Sequence, residues 1–182
     1  MRIERKSHNE IGRIYYFTAT IYQWKWLLSP DENKKLVADY MRTLSDKGLL
    51  KIYAFVLMPN HLHIIWKQLK KNGKETAQGS FLKYTAHEFL KRLKATGESK
   101  HYEVKAANKK HEIWQRDSLS IEIYSRGVAK EKLDYIHFNP VSGIWNLSKD
   151  DLGYYYSSAR FYETGENDFG FLNDLYSEFD GA

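Results

Sequence analysis

The chain has 182 residues, 42% of them apolar, with three prolines and a net charge of +5, which fits one ordered globular domain large enough to bury its own core. It contains no cysteine, which excludes a disulfide framework, thiolate metal centres and cysteine nucleophiles, and is compatible with a reducing compartment. The segment Met1-Arg2-Ile3-Glu4-Arg5-Lys6 has no apolar signal core, and no run approaches the roughly 18 apolar residues of a membrane span, so a cytoplasmic protein away from membranes is expected.

In chain order, Arg13 to Tyr22 is rich in aromatic and β-branched residues and predicts a strand. Ser29-Pro30-Asp31-Glu32 then reads as a helix start, with Ser29 as cap, Pro30 in the first turn and Glu32 completing a capping box. Leu36, Val37, Tyr40, Met41 and Leu44 continue one apolar face to about Lys47-Gly48. Leu50 to Met58 and His61 to Trp66 are apolar runs broken only by Pro59-Asn60, the spacing of adjacent antiparallel strands. A polar loop is expected from Lys67 to Gly79. A helix follows from Ser80 to Ala95, with Leu82, Ala86, Phe89 and Leu93 inward. Thr96 to Glu112 reads as an exposed basic loop, Ile113 to Arg116 and Ile121 to Tyr124 as a final strand, and Val128 to Asn139 as a short helix ended by Pro140, because proline disfavours helical geometry in the residue before it.

The order β-α-β-β-α-β, followed by a helix and a tail, predicts an α+β fold of the ferredoxin-like, split β-α-β type: an antiparallel sheet with helices on one face. Charge is unevenly placed along it. No Lys or Arg follows Arg160, while Glu163, Glu166, Asp168, Asp174, Glu178 and Asp180 do, leaving residues 1–160 with 28 basic and 17 acidic residues. A basic body of that kind fits either a polyanion-binding surface or a well-solvated one. The acidic tail can dock on the body, screen a basic groove, or remain a solvated end.

Two short stretches carry chemistry. His61 and His63 flank Leu62, so the period of two in a strand sends both imidazoles to one face, where they can share a divalent ion. By spacing alone the pair also fits a partly exposed sheet edge. Tyr135 and Asn139 are four apart on the last helix and project from one side, with His137 near the opposite side. A carboxamide oxygen is a suitable neutral ligand beside imidazoles. Residue type does not single out Tyr135 among 14 tyrosines; position does.

Pro59-Asn60-His61-Leu62-His63 and Tyr135-Ile136-His137-Phe138-Asn139-Pro140-Val141 resemble the paired signatures of REP-associated tyrosine transposases, in the single-tyrosine branch of the HUH (His-hydrophobic-His) endonucleases. The resemblance extends through Phe81 to His87, Ile113 to Arg116 and Tyr156 to Ala159, in the family's order. It implies a transposase domain over residues 1–162 with an acidic tail over 163–182, metal ligation by His61, His63 and Asn139, and a nucleophilic role for Tyr135. It also implies cleavage and rejoining of single-stranded DNA beside hairpin-forming repeats, through a 5′-phosphotyrosine. Relatives commonly have a histidine where Ile121 stands and a basic residue where Ser142 stands.

The cofactor expected is a divalent metal, Mg²⁺ or Mn²⁺, acting as a Lewis acid on the phosphodiester. The partner expected is DNA, single-stranded or hairpin, met by cations along the backbone and aromatics under the bases. Lys91, Arg92 and Lys94, then Lys100, Lys105, Lys109, Lys110 and Arg116, are the candidate DNA contacts, interleaved with His101, Tyr102 and His111. A homodimer sharing its sites and a chain closing its own site are both compatible with the sequence. The competing readings are a non-catalytic single-stranded nucleic-acid-binding ferredoxin-like module, which needs neither the histidine pair nor Tyr135, and a metallohydrolase using activated water.

Overall fold

The structure, a computed structural model, describes residues 9–116 and 118–180; the charged segment from Met1 to Lys6 lies outside them. The elements are β1 (Ile14–Thr20), α1 (Asp31–Asp46), β2 (Leu50–Leu57), β3 (His61–Gln68), α2 (Ala77–Thr96), β4 (Glu103–Ala106), β5 (Lys109–His111), β6 (Leu119–Glu122), α3 (Arg126–Phe138) and α4 (Ala159–Thr164). Strands β2, β3, β1 and β6 lie side by side in that order, every neighbour antiparallel. This is the α+β arrangement that the element order predicts. No described helix is long and apolar enough to cross a membrane.

Strand alternation sorts the core into two layers. Tyr15, Phe17 and Ala19 of β1 join Leu62, Ile64 and Trp66 of β3 beneath α1 and α2, where Val37, Met41, Leu44, Phe81 and Phe89 pack. Ile14, Tyr16 and Ile65 face the other way, against Ala129, Leu133 and Ile136 of α3. The last helix therefore covers the face that α1 and α2 leave open. His61 and His63 alternate with the inward Leu62 and Ile64, so their rings share the α3 face. Strand β2 keeps both layers filled despite a bulge at Tyr53, where the register with β3 shifts and both Tyr53 and Ala54 end up on the α3 side.

Several boundaries differ from the sequence reading for local reasons. Pro30, not Ser29, occupies the cap of α1 and offers no side-chain acceptor; Asp31 and Glu32 instead supply negative charge to the first turn. Helix α2 begins three residues earlier than predicted, because Thr76 caps it by accepting from the Gly79 amide at 3.0 Å. Its inner face is Phe81, Thr85, Phe89 and Leu93, with Leu82 and Ala86 on the flank. The basic stretch predicted as a loop folds into a 3₁₀ turn and the β4–β5 hairpin. Trp114 makes one isolated bridge to Ile21, and the true strand is Leu119–Glu122.

The acidic tail docks on the body. Strand β2 is an edge, and residues 155–158, ahead of the tail, and 172–173 within it run along it: Leu57 N donates to Tyr156 O at 2.9 Å, Ser158 N to Phe55 O at 2.9 Å, and Asn173 N to Ile52 O at 2.9 Å. Phe169, Phe171 and Leu172 enter the α1/α2 core while Leu175 enters the α3 core. Each such burial contributes about 1.5–3 kcal/mol, and the covered edge is closed to pairing with other chains.

Candidate functional site

His61 opens β3 immediately after the Pro59-Asn60 turn, and His63 follows one pleat later, opposite Thr18 of β1. Both are buried, at 7% and 4% exposure, with ring centroids 4.9 Å apart. Each ring is held through Nδ1. That of His61 is 2.7 Å from Asn60 Oδ1; that of His63 is 2.7 Å from the Tyr16 hydroxyl and 2.9 Å from Thr18 Oγ1. An Nδ1–H donating to these oxygens leaves Nε2 as a lone pair on both rings, the state a metal requires. Burial pushes the proton affinity of His61 down to about 4. Burial, and then the neighbouring His61, lower His63 well below its ordinary value. Both imidazoles are thus neutral at pH 7.

Helix α3 brings the second pair of residues over the first. Ser125 caps it by accepting from the Val128 amide, and Ala129, Leu133 and Ile136 press one side onto the sheet. Tyr135 and Asn139, one turn apart, project toward the histidines. The Tyr135 ring lies edge-on to His63, centroids 5.3 Å apart, while the residue as a whole is 52% exposed. Asn139 Nδ2 is 3.5 Å from His63 Nε2, and its carboxamide oxygen is buried with no hydrogen-bond partner. Asn139 keeps helical geometry (φ −53°, ψ −45°) although Pro140 follows, a conformation that position ordinarily avoids. Tyr135 and both histidines belong to one chain, so a single copy brings them together.

Two imidazoles and a carboxamide can hold a divalent ion. No group of three or more His, Cys, Asp or Glu that could hold a metal ion exists among the described residues, and the neutral Asn139 is the further oxygen donor that the geometry brings to the two imidazoles. Its buried oxygen, without a hydrogen-bond partner next to His63, suits an oxygen donor to such an ion. Tyr16 also reaches His63, but it is buried and its hydroxyl is raised well above the ordinary tyrosine value by that burial. Of the two phenols, only that of Tyr135 is open to a substrate. His137 points away into the body, with Nε2 2.9 Å from Ser158 Oγ.

The basic residues singled out in the sequence lie along α2 and the segment after it. Lys91, Lys94, Lys100 and Lys105 are exposed. Arg92 instead bonds Asn33 Oδ1 at 2.7 Å and ties α2 to α1. Lys109 and Arg116 both reach Glu112, at 2.7 and 3.7 Å, and Lys110 lies 3.5 Å from Glu103. Tyr16, Thr18, Trp24 and Trp145 around the histidines carried no signal in the sequence, whereas Asn60 stands in the signature directly before His61.

No family model matches this chain, and no curated protein matches it. Among solved structures it is similar to a REP-associated tyrosine transposase bound to a REP hairpin, at 21% identity and a TM-score of 0.60, over 96% of this chain and 93% of that one. The likeness is one of fold, and it runs almost the full length of both chains.

Proposed function

We propose that this chain, having the fold of a REP-associated tyrosine transposase, is itself such a transposase: a metal-dependent enzyme that nicks and rejoins single-stranded DNA beside hairpin-forming repeats. The observation that carries the reading is the meeting of Tyr135 and Asn139, one turn apart on α3, with the paired imidazoles of β3. The fold alone hosts many functions; this constellation is what narrows them.

His61, His63 and Asn139 would hold a Mg²⁺ or Mn²⁺ ion, and a bound ion supplies Lewis-acid neutralisation of charge on the non-bridging phosphate oxygens. The protein's own residues do the rest. Asn60, Tyr16 and Thr18 fix the imidazoles in the ligating tautomer. The exposed Tyr135 oxygen attacks phosphorus in line, forming a phosphotyrosine bond as the bond to the 3′ oxygen breaks. The phenol proton passes to water or a substrate oxygen, and the departing 3′ oxygen takes up a proton. The 5′ phosphate stays on Tyr135, its bond energy conserved, so a 3′ hydroxyl can later reverse the step. Half-burial of the ring by His63 and Tyr16, edge-on at 5.3 and 6.2 Å, limits its rotation and orients the attack.

The test is a labelled oligonucleotide with a hairpin and single-stranded flanks, incubated with the protein and Mn²⁺ or Mg²⁺. Cleavage that leaves a free 3′ hydroxyl and stops on chelation supports the reading. Binding without cleavage under every metal condition points to a nucleic-acid-binding module instead.

A further inference from the structure

Three tryptophans stand at the rim of the histidine pair. Trp24 and Trp145 flank His61, with ring centroids 6.0 and 5.6 Å away, and Trp26 lies 5.9 Å from Trp145. Trp24 and Trp26 are 56% and 62% exposed, a large apolar area left in solvent. The loops that carry these rings are strained. Among the described residues, the non-glycine positions with positive φ are Gln23 (54°), Trp24 (55°) and Asn146 (45°), all within or directly beside the tryptophan-bearing segments. Backbone held in that region persists only where surrounding contacts enforce it, and it concentrates at ligand sites. Asn60 supplies one such contact: it donates to the Trp24 carbonyl at 3.2 Å while its oxygen meets His61. One side chain thus ties the first tryptophan to the first imidazole.

Cations complete the surroundings. Lys25, between Trp24 and Trp26, lies over the rings of Tyr22 and Tyr102 at 5.0 and 5.5 Å, and together with Trp26, Arg92, His101 and Tyr102 it lines a groove. On the other side Lys132 lies 5.5 Å over Tyr16. Exposed aromatic faces alternating with cations match the chemistry of a nucleotide strand, with bases on the rings and phosphates on the ammonium groups. An apolar peptide would leave those charges without partners.

From this arrangement we infer that Trp24, Trp26 and Trp145 form a stacking subsite for the unpaired bases adjoining the scissile phosphate. The subsite rests on the transposase reading for the position of that phosphate. Stacking engages the π-face that every base presents, so the rim grips single-stranded DNA without reading its sequence and excludes duplex, whose bases are already stacked. Holding the flanking bases fixes the phosphate against Tyr135.

The experiment measures binding without cleavage. Full-length protein, kept in chelator, is titrated with a dT 12-mer and with a 12-mer of the same backbone made abasic throughout, following anisotropy and tryptophan emission. The wild type should bind dT at least about tenfold tighter, the scale of one stacked base, with quenched emission. The W24A/W145A double variant should bind both oligonucleotides alike, and W24F/W145F should recover much of the difference, which separates lost stacking from lost folding. Equal affinity of the wild type for the two oligonucleotides, or an undiminished preference in W24A/W145A, would overturn the subsite. Because nothing here depends on catalysis, failure to cleave would sink the enzyme reading while leaving this result distinct.

Discussion

The carboxamide of Asn139 lies 3.5 Å from Nε2 of His63 with its oxygen buried and unpartnered. A buried acceptor left so costs about 1–3 kcal/mol, and half a turn of the amide would aim it at an ion shared with the imidazoles. Asn139→Ala should therefore weaken Mn²⁺ binding at least about tenfold, the loss that even an outer partner of a metal site causes. Asn139→Asp, which restores an oxygen and adds charge, should hold or improve it. Calorimetric titration of the three proteins decides; unchanged affinity in Asn139→Ala would remove Asn139 from the ligand set.

Tyr16 and Thr18 meet the same ring from its other side, at 2.7 and 2.9 Å from Nδ1 of His63. With both hydroxyls gone, the ring loses the partners that select its tautomer. The Y16F/T18V variant should bind Mn²⁺ about 10–100-fold more weakly, as outer-shell changes do, while keeping the fold's circular dichroism. Full affinity in that variant would mean that packing alone orients His63.

On the opposite face, Trp114 donates its indole N–H to Thr85 Oγ1 at 2.9 Å within the core. Thr85→Val keeps the shape but strands the donor, and should lower unfolding free energy in urea by about 1–3 kcal/mol. Thr85→Ser should recover most of that loss. Equal stability of the valine variant and the wild type would show the bond to be dispensable.

Glu178 connects the tail to the sheet through Lys51 at 2.5 Å and Lys67 at 2.8 Å. Burial alone would raise its carboxyl, but the two lysines hold it down to about 2. The folded value lies below the unfolded one of about 4.3. The stabilisation is therefore complete above that unfolded value and is lost as pH falls from there toward 2. Allowing for partial exposure of the lysines, it amounts to about 1–2 kcal/mol at pH 7. Urea unfolding should show the wild type exceeding E178Q by that margin at pH 7, with the gap closing between pH 4 and 2. A gap independent of pH would rule out the ion pairs as its source.

What the sequence disclosed follows its local signals. Hydrophobic periodicity reports elements, so β1, α1, the β2–β3 pair, α2 and α3 were legible, as were the shared face of His61 and His63 and the one-turn spacing of Tyr135 and Asn139. Contacts set by long-range register were not. Thr18 supports His63 only because β1 pairs with β3 in a register that puts them opposite one another. Trp24 gave no turn signal, since its positive φ occurs without a glycine. In the tail, Phe169, Phe171, Leu172 and Leu175 stood out as apolar residues able to dock, but which of the two cores each enters depends on distant packing. The basic stretch from Lys100 to Lys110 was seen by charge, but its hairpin and its pairing with Glu103 and Glu112 depend on neighbours across the turn.

The central claim is that Tyr135, set beside the imidazoles, becomes covalently joined to DNA. Incubating the protein with Mn²⁺ and the hairpin oligonucleotide, denaturing, digesting with nuclease and protease, and sequencing the peptides by mass spectrometry locates any adduct. A phosphonucleotide on Tyr135, absent from Tyr135→Phe, is the predicted result. Cleaved DNA bearing a free 5′ phosphate with no adduct, or an adduct on another residue, would contradict it.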